Sequence, residues 1–356
     1  MMAEGQVLII RLSALGDVLF TMPAVQALRR ARPDLAIDWV VEERAAALLD
    51  LLPGLRRRIV WRRAELQRDA ANPARWPAAA RALARHVRAL RETRYDAVLD
   101  FQGNLKSGVH ALLARGARKL GFDRRHRREG SWLLARGSVA PPAGTRHRVD
   151  QALALVRSLE PAVAGEAERP PLAVPDAGRE FAERALREAG IGEAPFVVLH
   201  PGTSAFGSFK RWRPDRFANV ADLLAARRGL RVLITWGPGE EELASAAASS
   251  VKQPGTTLAP RTRSLADLAG LLARARVVIA SDSGALHLAA FLGTPVVALY
   301  GPKDPQQYGP RFAPMRVVHT WLPCSPCTRR TCPDVLCMEE IGVRQVFEAA
   351  GELLGA

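Results

Sequence analysis

VLIIRLSALGDVLFTMPA, residues 7–24, is an apolar run that stops at a glycine turn and restarts as an apolar helical pattern. A strand–glycine–helix junction of this kind opens a doubly wound α/β unit, and in nucleotide-binding versions it receives a phosphate. Here the head of the helix carries Asp17, which would repel one. The helix macrodipole and its unpaired N–H groups favour a charged carboxylate at that end, and Gly16 lets the turn tighten. A carboxylate at the mouth of the sheet can act as a general base toward a hydroxyl. Ordinary helix capping by Ser13 or Asp17 accounts for the same residues equally well.

Working outward, short apolar runs alternate with helical patterns. In the first half, strands are expected at 7–11, 37–41, 57–61, 95–101 and 116–122, with helices over 17–31 and 77–92. ERPPLAVPDAG (168–178) reads as a linker. The alternation then restarts with FVVLHPG (196–202), LRVLITWG (230–237), VVIASDSG (277–284) and PVVALYG (295–301). Strands and helices at this spacing indicate parallel sheets covered on both faces. The expected organisation is a domain over 1–167, the linker 168–178, a domain over 179–337, and a C-terminal helix over 338–356, which in GT-B folds often crosses back to the first domain. Two Rossmann-like domains facing across a cleft form the GT-B architecture, which dehydrogenases with paired domains imitate. A dinucleotide site needs G-x-G-x-x-G after its first strand. The first junction offers only Gly16 and the second reads HPGTSAFG, so the oxidoreductase reading is rejected.

Composition sets the frame. A chain of 356 residues exceeds one ordinary core. It is 48% hydrophobic and 24% charged, with no run long enough to span a bilayer. The opening residues carry no leader pattern, so a cytoplasmic protein is expected. The net charge of +15 is uneven. Residues 1–160 carry 29 Lys and Arg against 16 Asp and Glu, a net +13, and the remainder 22 against 20, a net +2. An acidic partner is therefore expected for the first half, whereas uniform drift toward arginine would charge both halves.

RLSALGDVLFTMPA, DWVVEE (38–43), YDAVLDFQGNLKSG (95–108), FKRWRP (209–214), TWGPGEEELA (235–244) and SDSGALHLAAFLGTPVVALYGPKDP (281–305) together resemble the bacterial lipopolysaccharide heptosyltransferases. The resemblance spans nearly the whole chain, and DWVVEE with the YDAVLDFQG block is most similar to the type I members. It implies an inverting GT-B enzyme that moves heptose from ADP-heptose to the Kdo of Kdo-lipid A. It places the catalytic base on Asp17 and requires no cofactor for catalysis. It further implies a monomer at the cytoplasmic face of the inner membrane.

For the donor, SDSGALH follows an apolar strand and opens a helix. Ser283, Gly284 and the backbone N–H groups there suit a pyrophosphate. Asp282 resembles the family's donor-site aspartate, though it could equally cap the helix. His287 lies one turn in, where a core histidine is the plain alternative. Lys210 is the candidate for neutralising the leaving diphosphate, with Arg211 as its competitor. Thr203 matches a phosphate-contacting threonine of the family. Glu240 or Glu241 is expected on the adenosine ribose. For the acceptor, Arg62, Arg63, Lys106 and Arg128 are expected on carboxylates and phosphates, although each alone reads as a solvated surface charge. Trp61, Trp76 and Trp132 could graze a lipid surface, with core or edge packing as the alternative.

All four cysteines, Cys324, Cys327, Cys332 and Cys337, fall within fourteen residues. In a cytoplasmic chain such clustering favours a structural zinc or iron–sulfur site over disulfides, although the spacing matches no standard zinc ribbon. Some type II heptosyltransferases carry a similar loop, which makes a metal-free family loop the alternative at the cysteines and a type II acceptor the alternative for the reaction. A basic nucleic-acid-binding protein is a reading from another class. It lacks any recognition-helix signature, and its basic charge and its cysteines lie at opposite ends of the chain, so no nucleic acid is expected. A sugar-nucleotide epimerase is the third reading.

Overall fold

The computed structural model describes residues 5–134, 137–327, 329 and 331–355, with the side chain of Ala205 left aside. Residues 1–4 of the expected first domain, Thr328 and Arg330 of the Cys-rich segment, and the last residue of the expected C-terminal segment lie outside the described residues. The chain forms two compact units, residues 1–173 and 174–356. The division falls inside the expected linker. Its last residues are not linker: Asp176–Glu188 is a helix, and Gly178 lies so close to the Ala266 carbonyl that a Cβ would meet the oxygen at 2.3 Å.

The first unit holds six strands: β1 (Gln6–Ile10), β2 (Ala36–Glu42), β3 (Arg57–Trp61), β4 (Arg94–Asp100), β5 (Arg115–Phe122) and β6 (Gly137–Val139). Every pairing is parallel and the order is β3-β2-β1-β4-β5-β6. Val7 to Ile10 are all buried, as expected of a strand covered on both faces. Their neighbours in register, Ile37 to Val40 on one side and Ala97 to Asp100 on the other, are buried as well.

The second unit repeats the plan with β7 (Phe196–His200), β8 (Arg231–Ile234), β9 (Thr256–Leu258), β10 (Val277–Ser281), β11 (Val296–Tyr300) and β12 (Met315–His319). Its order is β12-β11-β10-β7-β8-β9, again all parallel. Counted from its own first strand, this is the same topology as the first unit. Such a sheet reverses direction beside its first strand, and the crevice beyond the carboxyl ends of the two strands there is where ligands bind. The switch points lie between β1 and β4, and between β7 and β10.

The C-terminal helix Val343–Leu354 packs on β10, β11, β12 and the helix Pro214–Arg228 of its own unit. Trp212 fixes this arrangement, with its buried indole N–H donating to the Ile341 carbonyl at 3.0 Å. Among the described residues, no helix is long and apolar enough to cross a membrane.

Candidate active site

At the first switch point, β1 runs into Arg11, Leu12 and Ser13, and the helix Leu15–Ala31 begins. The cap position is Ala14, which has no side-chain oxygen. Asp17 sits three residues in and reaches back to the Ala14 N–H at 3.4 Å. Capping by Ser13 is therefore not realised, and Asp17 caps only loosely. Its Oδ1 pairs with Arg11 Nη2 at 2.6 Å, which leaves Oδ2 with that one long contact. The carboxylate is 31% exposed. It opens on a concavity lined by Arg11, Phe20, Thr21, Phe101, Arg148 and Gln151.

The loop is held from β4. Gln102 Oε1 accepts from Leu12 N at 2.7 Å and Ser13 N at 3.2 Å, while Arg11 Nη1 donates to the Phe101 carbonyl. Buried Asp100 ties down the β4 turn, accepting from Gln102 N, Gly103 N and Ser107 Oγ at 3.0 to 3.1 Å. Sequence reading missed Arg11, Gln102 and Asp100. The signal was present, because they lie at or just beyond the carboxyl ends of the two central strands.

The expected acceptor cations divide. Lys106 pairs with Glu42 at the end of β2, and Arg63 approaches the same carboxylate at 3.9 Å. Arg62 points away, 75% exposed and 3.6 Å from Glu65. Arg128 is exposed, with its backbone N–H on the Gly103 carbonyl at 2.8 Å. Its neighbour Arg127 is the buried one and anchors the segment to the carbonyls of Phe122 and Ser131.

Below this region Trp61, His86 and His110 stack on one another, with ring centroids 4.4 to 5.2 Å apart. Burial, reinforced by the neighbouring His110, pushes His86 down to about 4. Burial lowers His110 as well, and its Nδ1 lies 2.7 Å from the Lys106 carbonyl.

In the second unit, β10 ends at Ser281 and is followed by Asp282 and Ser283. Ser283, not Asp282, caps the helix Gly284–Leu292, accepting from Leu286 N at 3.3 Å. That leaves the Asp282 carboxylate for side chains. Lys210 Nζ lies 2.8 Å from Oδ2, and His287 Nε2 lies 3.1 Å from Oδ1. Burial alone would raise the Asp282 pKa. The His287 hydrogen bond and the Lys210 charge outweigh it and hold the carboxyl below the ordinary range. Tyr300, buried at the end of β11, is pushed up by burial and by the Asp282 charge.

Lys210 ends the short 3-10 turn Ala205–Lys210, and the geometry separates it from its competitor. Arg211 turns the other way, its guanidinium bonding the Thr203 hydroxyl at 3.2 Å and the Thr203 carbonyl at 3.1 Å. Thr203 itself is 2% exposed, and its hydroxyl donates to the Gly207 carbonyl at 2.9 Å. In this arrangement that hydroxyl shapes the loop carrying Lys210.

Glu240 and Glu241 are also distinguished. Glu240 folds over the end of β7, with Oε2 accepting from Gly237 N at 2.8 Å and lying 3.5 Å from His200 Nε2. Burial would raise its pKa, but His200 and the Gly237 N–H hold it low. Gly202 makes room, since a Cβ there would lie 2.1 Å from that oxygen. Glu241 is exposed in the first turn of the next helix.

The profile of glycosyltransferase family 9 (heptosyltransferase) matches residues 83–336. The chain belongs to this family. Lipopolysaccharide heptosyltransferase 1 of Pseudomonas aeruginosa is 32% identical over 334 residues, covering 92% of this chain and 87% of that protein. The Escherichia coli K12 protein of the same name is 32% identical over 317 residues, with 85% and 90% covered. Among solved structures, E. coli heptosyltransferase WaaC with ADP superposes with a TM-score of 0.73 at 27% identity, covering 98% of this chain and 99% of that one. The GT-B fold expected from the sequence is therefore that of a family 9 glycosyltransferase.

The cysteines of this family 9 chain are free thiols. Cys324 and Cys332 are exposed, Cys327 is half-buried and Cys337 is buried. Among the described residues, no group of three or more His, Cys, Asp or Glu side chains is arranged to hold a metal ion. The expected zinc or iron–sulfur site thus finds no formed ligand set there. The segment braces the loop after β11 instead, with Cys327 N on the Pro302 carbonyl at 2.7 Å and Ser325 Oγ on the Gly301 carbonyl at 2.6 Å.

Proposed function

We propose that the chain transfers heptose from ADP-heptose to the Kdo of Kdo-lipid A, with inversion, as a monomer at the cytoplasmic face of the inner membrane. The observation that carries this reading is the pairing of Asp17 Oδ1 with Arg11 at the β1–β4 switch point, with the Asp17 side chain lining a concavity. In the reaction, the acceptor hydroxyl attacks the anomeric carbon and Asp17 Oδ2 takes its proton. The bond to the diphosphate breaks, and ADP leaves with the electron pair. Positioned general bases contribute about 10²- to 10⁴-fold.

The second unit supplies the leaving-group site. Lys210 offsets the charge that grows on the diphosphate, and Ser283 with the N–H groups at Gly284 receives a phosphate. Glu240 accepts from the ribose hydroxyls, while Asp282 with His287 orients Lys210 and the sugar. Lys106, Arg63 and Arg128 meet the acceptor's anionic groups, and Arg62 has to swing from Glu65 to join them. No step is routed through a metal. The Cys-rich loop beside Gly301 and Pro302 favours one second reading, a type II acceptor already carrying one heptose.

The deciding experiment supplies ADP-heptose with Kdo-lipid A, and separately with its singly heptosylated form, and reads product mass and ADP release. Transfer to the bare Kdo acceptor, with about 10³-fold loss in Asp17→Asn and retained ADP binding, is the expected result. Transfer only to the heptosylated acceptor makes the chain type II. Near-normal turnover by Asp17→Asn removes the base assignment.

A further inference from the structure

The helix Leu105–Leu113 turns its apolar side outward. Its exposed residues are Leu105, Val109 and Leu112, at 48, 41 and 47% exposure, spaced four and three apart on one face. Its buried residues are Ser107, Gly108, His110 and Ala111. A surface helix ordinarily shows the reverse arrangement.

The turn Ser131–Leu134 lies against this helix and extends the patch with Trp132, 41% exposed, and Leu133, 71% exposed. The two pieces are joined firmly. Ser131 Oγ donates to the Gly103 carbonyl at 2.9 Å, and a Cβ on Gly108 would lie 3.1 Å from Leu134 Cδ1. A contiguous exposed apolar patch marks an interaction surface rather than ordinary surface scatter.

The border of the patch indicates what covers it. The Arg124 guanidinium stacks 4.6 Å from the centre of the Trp132 ring, and Arg124, Arg125 and Arg128 are all exposed. An apolar centre, an indole at its edge and an arginine rim match the layers of an anionic bilayer surface. Leucines enter the acyl boundary, Trp sits at headgroup depth, and arginines meet lipid phosphates.

We propose that this face seats the first unit on an anionic lipid bilayer. The proposal rests on the reading of a lipid-anchored acceptor and deepens it by assigning the surface. The patch adjoins the expected acceptor cations along the chain: Leu105 precedes Lys106, and the Arg128 N–H is bonded to the Gly103 carbonyl. Docking there brings the lipid's own sugars to the residues that receive them. Apolar insertion and cationic attraction act together, as stable anchoring by weak elements requires.

The test is co-sedimentation of the full chain with vesicles of phosphatidylcholine alone, or mixed with phosphatidylglycerol, at low and high salt. The wild type is expected to bind the mixed vesicles at least about tenfold better than the neutral ones, and less well in high salt. Leu105→Ser/Leu112→Ser/Leu133→Ser should weaken that binding about tenfold or more, with an unchanged melting temperature and unchanged turnover on detergent-dispersed acceptor. Arg124→Glu/Arg125→Glu should lose the preference for the anionic vesicles. Should the leucine variant fold poorly, quenching of the wild-type protein by brominated lipids reports the same contact and should fall on Trp132→Phe. Absence of wild-type binding, equal binding to both vesicles, or loss of a wild-type dimer in the leucine variant would overturn the proposal. Turnover on the dispersed acceptor reads the transferase assignment separately.

Discussion

Asp17 follows the first strand of its sheet and Asp282 the fourth strand of the other, each beside a switch point, and their neighbours give them different chemistry. Asp17 lines a concavity and has only one long contact on Oδ2, whereas Asp282 has both oxygens engaged by Lys210 and His287. The first arrangement suits proton transfer and the second suits fixing a cation. Lys210→Ala should therefore weaken ADP binding and lower turnover together by about 10²-fold, measured by calorimetry and ADP release. It also strands a buried carboxylate, so some loss of melting temperature accompanies the effect. Glu240→Gln should weaken ADP binding several-fold and Glu241→Gln should leave it unchanged, because only Glu240 is drawn over β7. The sequence could not separate these two neighbours. Both are glutamates at the start of one helix, and the deciding feature is the missing Cβ of Gly202, which admits only the first.

At the scale of the element, the long apolar strands were legible because burial on both faces writes itself as continuous Val, Ile and Leu. The short edge strands β6, β9 and β12 were not, since three to five half-exposed residues carry no such run. The helix Leu105–Leu113 was also missed, because its outward face is apolar and its inward face polar. The Trp61–His86–His110 stack joins β3 to two helices and carries a pH signature. A histidine near 6.5 in the unfolded chain and about 4 when folded leaves the unfolded state the better proton binder between those values. Stability is then full above the unfolded value and is lost as pH falls toward 4. Urea unfolding should show a drop of roughly 2 kcal/mol between pH 7 and 4.5, after allowance for solvent screening at the edge of the stack. His86→Gln should flatten that slope.

At the scale of the molecule, the division into two α/β units and the strand–turn–helix junctions could be read from the sequence. The packing of the linker's last residues and the partners of the C-terminal helix could not. A proline-rich string reads the same whether it hangs free or opens a packed helix, and the helix's partners are fixed by Trp212 and by the strands beneath it. Each unit closes its own hydrophobic core: one cluster gathers residues between Leu8 and Ala114, the other between Val197 and Ala350. Acceptor choice should therefore travel with the first half. Replacing residues 1–173 by the matching half of a family member with another acceptor should move acceptor preference, read by product mass, and leave the ADP affinity of residues 174–356 within about twofold, a shift of under half a kcal/mol.

Two buried indoles carry one more consequence. Trp39 donates to the carbonyl of Arg11 at 3.1 Å, and Trp236 donates to Ala259 at 3.0 Å one residue before the Gly237 that holds Glu240. Each half thus holds a native fluorophore hydrogen-bonded at a loop of its candidate site. In variants retaining one or the other tryptophan, the emission maximum becomes an optical readout of which half has been occupied, and stopped-flow traces of the two colours would time the order in which substrates arrive.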